Sequence, residues 1–154
     1  MTRRLALLLA TAGGVGYLPF APGTFGSMVG VALWAVLRTS VAVQAVAILV
    51  LFVLGSWSGT VAERHFGRTD PSQVVIDEVV GVLITLFLIP VGWAGAFLGF
   101  LLFRVSDIIK PFPSNRLEQL HGGFGVMADD AMAAVYANLA LRFCLWSSHH
   151  VAIW

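Results

Sequence analysis

Two uncharged runs, 41–62 and 79–103, limit what this chain can fold into more than any other feature. Each is long enough to meet the roughly 20 apolar residues that a helix needs to cross the hydrocarbon of a bilayer. Composition agrees, with 58% of the 154 residues hydrophobic and 11% charged. That balance is too oily for the surface of a soluble domain. The expectation is an all-α integral membrane bundle of short helices, forming a single domain over 1–154.

Several function classes fall away at once. The basic residues make no continuous stripe and the aromatic residues sit in apolar runs, so nucleic-acid binding has no support. Cys144 is the single cysteine, which excludes an intrachain disulfide and a zinc-finger framework.

Along the chain, 1–12 pairs two arginines with a short apolar run. It reads either as a signal peptide or, preferably, as an interfacial helix beside the bundle. The loop 13–27 (GGVGYLPFAPGTFGS) is rich in glycine and proline. Thr24 or Ser27 could cap the helix that follows, whose N-terminus would then offer N–H donors to a phosphate; an ordinary capped loop is the simpler alternative. In 41–62, Gly55 and Gly59 form a small-residue face for close helix packing. Ser72 opens a further helix over 72–89 carrying Asp77 and Glu78, and Pro90-Val91-Gly92 turns the chain back toward Arg104 and Asp107. Asp77 and Arg104 lie equally far from that turn, roughly 20 Å at 1.5 Å per residue, so the hairpin should bring the two charged clusters to one level.

Ionisable residues concentrate in 103–130 (FRVSDIIKPFPSNRLEQLHGGFGVMADD). Arg104, Asp107 and Lys110 are spaced i, i+3, i+6, placing a carboxylate between two cations on one broad helix face. Pro111 then ends that helix. A last helix over about 127–147 carries Asp129 and Asp130 in its first turn and Ala133, Ala137 and Ala140 for packing. Alternating the apolar segments across a membrane puts all eight acidic and seven of the nine basic residues on one side. By the positive-inside rule that side is cytoplasmic, which predicts a multi-pass inner-membrane protein with its site at the cytoplasmic interface.

Four blocks in order, LPFAPGTFGS, SQVVIDEVVG, FRVSDIIKPFP and HGGFGVMADD, resemble the phosphatidylglycerophosphatase A family over nearly the whole chain. The resemblance implies a magnesium-dependent phosphatase that converts phosphatidylglycerophosphate to phosphatidylglycerol in bacterial phospholipid synthesis. The residues themselves agree with that chemistry. Asp77, Glu78, Asp107, Asp129 and Asp130 outnumber the nearby cations, and one or two Mg²⁺ ions would relieve their repulsion. Arg104 and Lys110 suit the substrate phosphate, with Thr24, Gly26 and Ser27 as the anion-binding helix start. Asp77, Asp107 and Asp129 are the catalytic carboxylates. The nucleophile is a metal-activated water or one of the aspartates, and His121 either protonates the leaving alkoxide or merely bonds its loop.

Two other classes use similar residues. A transporter or channel would spread its charges through the bilayer depth, and here they gather at one face. A CDP-alcohol phosphotransferase would carry a spaced aspartate pattern on a single helix and loop, which is missing. A salt-bridge cluster with no catalytic role is the remaining alternative. Membrane lipids are the expected surroundings, and a homo-oligomer is compatible with the sequence.

Overall fold

Proline and glycine divide the apolar sequence into helices of very unequal length. The computed structural model describes residues 2–110, 112, 114–117, 120 and 122–151. Its elements are α1 (Thr2–Ala10), a 3-10 turn (Val15–Tyr17), α2 (Pro22–Leu37), α3 (Val41–Phe66), α4 (Ile76–Thr85), α5 (Trp93–Ile109), α6 (Ser114–Leu117) and α7 (Gly123–Val151). The described residues contain no strand, so the all-α expectation holds.

Boundaries of α2, α3, α4 and α7 differ from the sequence reading. α2 starts at Pro22, because a first-turn proline lacks only an N–H that would have had no intrahelical partner. Thr24 and Ser27 therefore lie inside the helix and do not cap it; the residue at the cap, Ala21, provides no side-chain bond. α4 covers only 76–85 of the expected 72–89. α7 starts at Gly123, a turn before the expected 127. α3 starts at Val41 as expected but runs past 62 to Phe66: the Ser40 hydroxyl accepts from the Val43 N–H at 3.4 Å, and Gly67, with φ of 69°, ends the helix in the left-handed conformation.

α4 is the hub, with eight of its ten residues buried. α2 and α7 flank it, α5 packs on α7, and α1 lies along α3 with Ala6 and Ala10 fully covered. One core cluster gathers Trp34, Leu83, Phe103 and Leu141, and a second joins Ala62, Val79 and Met127 nearer the polar end. The small-residue faces work as expected. A Cβ at Gly59 would sit 3.0 Å from the Cα of Gly123, and the Thr60 hydroxyl accepts from the Gly123 N–H at 2.9 Å. Ala133 and Ala137 are buried in the α7 interface.

The C-terminus of α4 ends inside apolar surroundings, where unbonded carbonyls are expensive. Asn138 of α7 answers them. Its amide donates to the carbonyls of Ile84, Thr85 and Phe87 at 3.2, 2.9 and 3.0 Å, while Arg142 donates to its Oδ1 at 2.9 Å and to the Leu88 carbonyl at 3.2 Å.

The outside of the bundle is apolar over long stretches. Val46, Leu49 and Val53 of α3, Phe97 and Leu101 of α5, and Leu139 and Phe143 of α7 are all exposed. Among the described residues, α3 is the one helix long and apolar enough to cross a membrane by length and composition. The 79–103 run is instead broken by the 86–92 turn, as the Pro/Gly signal indicated.

Asn138→Leu should lower the melting temperature in detergent, because the stranded carbonyls of α4 cost about 1–3 kcal/mol each. A variant that melts with the wild type would show that these bonds contribute nothing.

Candidate active site

The starts of two helices, a stretch about two turns inside a third and the end of a fourth meet at one end of the bundle; because α7 begins at Gly123, Asp129 and Asp130 do not lie in its first turn, where the sequence reading places them. α4 enters with Asp77 and Glu78 in its first turn, α7 contributes Asp129 and Asp130, and α2 begins at Pro22 and Gly23. The last two turns of α5 bring Arg104 and Asp107, and Lys110 ends that helix in the left-handed conformation. Together they line a pocket of about 380 Å³.

The hairpin geometry expected from sequence is realised. Arg104 Nη1 lies 3.7 Å from Glu78 Oε1 and 2.8 Å from Asp107 Oδ2, and Lys110 Nζ lies 2.7 Å from Asp129 Oδ2. Asp77, Asp129 and Asp130 are buried, at 5%, 3% and 5% exposure. Asp77, Glu78 and Asp130 each offer a carboxylate oxygen, and those oxygens all lie within 4.8 Å of one another.

Such a group resists full ionisation. Burial, with the charge of Glu78 next in size, raises Asp77 well above the usual carboxylate range. Burial pushes Glu78 up from 4.5 to about 8; the hydrogen bond with Asp77 and the Arg104 charge oppose the shift, and Asp130 and Asp107 reinforce it. Asp130 is raised by burial and then by the charges of Asp77 and Asp107.

The donor set fits a hard divalent cation. Glu78 Oε2 and Asp130 Oδ2 are buried with no hydrogen-bond partner among the described residues. Three converging carboxylates are the oxygen-rich, anionic environment that such ions prefer. Asp77, Glu78 and Asp130 could therefore hold a metal. Asp107 stands beside this trio, ion-paired to Arg104, whereas Asp129 is turned to Lys110.

The glycine-rich loop behaves differently from its reading. Ser27 is fully buried and its hydroxyl donates to the Gly23 carbonyl at 2.9 Å. Gly26 packs on α4, where an added Cβ would lie 2.8 Å from Val75 Cβ. Thr24 lines an apolar groove outside the pocket. The pocket wall is formed one turn earlier, by Ala21, Pro22 and Gly23. A Cβ on Gly23 would run into Glu78 Oε1 and lie 3.2 Å from Arg104 Nη1, so this glycine lets the helix start press against the charged cluster. His121 lies outside the described residues. Asp70 and Ser72 also line the pocket. Sequence reasoning passed over them, although an acidic residue beside the turn that feeds α4 was the available signal.

The fold and site define a helical protein in which three converging carboxylates that could hold a metal share one pocket with an arginine and a lysine. Comparison with known families makes this specific: the chain belongs to the phosphatidylglycerophosphatase A family, which it matches over residues 8–145. A Haemophilus influenzae phosphatidylglycerophosphatase A is 40% identical over 138 residues, covering 87% of this chain and 85% of the relative. The Escherichia coli phosphatidylglycerophosphatase A is 33% identical over 147 residues, covering 93% and 83%. A Bacteroides thetaiotaomicron protein with the provisional name phosphatidylinositol-3-phosphatase is 38% identical over 151 residues, covering 92% and 94%. No solved structure matches the chain.

Because Glu78 titrates near 4.5 when unfolded and near 8 when folded, the folded state binds more protons between those values, and stability falls as pH rises through them. In chelator the protein should melt lower at pH 8 than at pH 6. A saturating divalent cation should shrink that difference, and Asp130→Asn should remove most of the cation effect. Melting that ignores both pH and cation would refute the trio as a cation site.

Proposed function

We propose that this chain is a multi-pass phosphatase of the bacterial inner membrane. It hydrolyses phosphatidylglycerophosphate to phosphatidylglycerol and inorganic phosphate, with magnesium as cofactor. The observation that carries the reading is one pocket in which three carboxylates with converging oxygens face Arg104 and Lys110. That is the pairing of hard-cation ligands with phosphate-binding cations that phosphoryl transfer requires. Family membership supplies the substrate class.

Asp77, Glu78 and Asp130 would hold the ion, with Asp107 and Asp129 at its border. Magnesium, when bound, would neutralise the phosphate charge and polarise the phosphoryl oxygens. Arg104 presents five N–H donors, so its pairing with Asp107 and Glu78 through Nη1 leaves donors for the phosphate. Lys110 adds a point charge at the rim, and Pro22 and Gly23 at the start of α2 line the same space. Asp107, fixed by Arg104, accepts a proton from the attacking water as the new P–O bond forms. The glycerol oxygen leaves as its bond to phosphorus breaks, and His121 returns a proton to it.

The one-sided charges support the orientation, with the pocket facing the cytoplasm. α3, the apolar body of α7 after Asp130 and the α5 arm would lie in lipid, with their exposed apolar faces against acyl chains. The Bacteroides relative favours a second reading, in which the phosphate is removed from a phosphoinositide headgroup. Both substrates are lipid phosphomonoesters, and the pocket chemistry is common to them.

Phosphate release from phosphatidylglycerophosphate and phosphatidylinositol-3-phosphate in detergent, with Mg²⁺ and with chelator, tests the reading. Turnover of the first substrate, lost in chelator and without CMP among the products, is expected. Asp107→Asn should fold normally and lose at least ~10²-fold in kcat, the scale of a lost catalytic electrostatic group. Near-normal turnover by that variant would leave the carboxylates a structural ion-pair cluster.

A further inference from the structure

We propose that the groove between α2 and α5 seats one acyl chain of the lipid phosphomonoester whose headgroup enters the acidic pocket. The inference rests on the lipid phosphatase reading and assigns the part of the substrate that this reading leaves unplaced. The groove encloses about 550 Å³. Met28, Val31 and Ala32 form one wall from α2, and Trp93, Phe97 and Phe100 form the other from α5.

Its position makes the assignment. Gly23 lines the acidic pocket and the next residue, Thr24, lines the groove. On the opposite wall Arg104 lines the pocket, and Phe100, one turn earlier on α5, lines the groove. The two spaces thus share both walls, and the path from Arg104 to Trp93 runs roughly 16 Å along α5 at 1.5 Å per residue. A molecule that joins a phosphate to a hydrocarbon chain matches both ends of this path. A helix of another protein would match only the apolar end.

The walls are also held in shape. Phe97 and Phe100 stack with ring centroids 6.2 Å apart, and Trp93 sets its edge against the buried Trp34 at 6.0 Å. Opposite this aromatic wall Ala32 leaves room, since its side chain ends at Cβ. Preformed, mostly apolar concavities of this size, with polar groups at one end, are the usual form of a site for an amphipathic ligand.

Two measurements test the proposal. The first uses a non-hydrolysable phosphonolipid bearing a diazirine in mid-chain, photolysed with the detergent-solubilised protein and mapped by mass spectrometry. Adducts should fall on Met28 and Phe97, disappear with excess long-chain phosphatidic acid and persist with excess phosphatidylcholine. Adducts displaced equally by both lipids would mean that the groove is ordinary lipid-facing surface, and the proposal would fall. The second measures phosphatidylglycerophosphate turnover as a function of acyl length. Ala32→Phe, which fills the groove, should lower the ratio of kcat/KM for long-chain over short-chain substrate by about tenfold, the scale of a few lost methylene contacts. An unchanged ratio in a folded variant would overturn the assignment. If the wild type released no phosphate from any lipid, the phosphatase reading would fail, while the labelling would still decide whether the groove selects phosphomonoester lipids.

Discussion

A helix that stops inside an apolar layer must find partners for its last carbonyls, and the bundle depends on how α4 does so. α4 stops after ten residues against apolar side chains, and the partners of its last carbonyls come from α7. The amide of Asn138 and the guanidinium of Arg142 take the place of water there. With that end secured, α4 can be short, central and buried on nearly all sides. Its other end then emerges beside the charged residues of α5 and α7. The inner hydrogen bonds and the outer site are thus two ends of one short helix.

The charged end is arranged against simple stability. Burial and mutual repulsion hold Asp77, Glu78 and Asp130 away from full ionisation. Asp107 and Asp129, by contrast, are each matched to a cation at less than 3 Å. Groups so matched settle into a fixed geometry, and groups left in excess require something that is not a side chain. Perturbed carboxylates of this kind gather at functional sites because the chemistry needs them there. The close contact at Gly23 brings the start of α2 directly against Glu78 and Arg104.

Much of this was legible in the residues. Uncharged runs and Pro/Gly breaks gave the helices, and equal spacing from Pro90 correctly put the charges of α4 and α5 at one level. Gly55, Gly59, Ala133 and Ala137 were readable as packing faces because small residues at helical spacing have few other uses. The loop reading went astray over where α2 begins. Glycine and hydroxyl residues at 24–27 suggested a cap, but Pro22 at the first helical position was the stronger signal, and it is 21–23 that line the pocket. The short span of α4 was hidden for another reason: what ends it, Asn138, lies far away in sequence and joins it only through tertiary contact. Asp70 was hidden likewise, since a loop carboxylate shows no periodicity until the fold places it beside α4.

The attachment of α7 to α3 bears on how the molecule is made. Gly123 lies against Gly59 and donates to Thr60, and this seat fixes the helix start from which Asp130 reaches the cluster. Every earlier segment can be synthesised and threaded before that seat is filled. Until then the chain holds Asp77 and Glu78 without the third carboxylate, and the carbonyls at the far end of α4 without Asn138. Both deficits are removed by the same docking of α7 on α3 and α4. The three-carboxylate cluster and the bonded inner end of α4 are therefore completed together, by one helix.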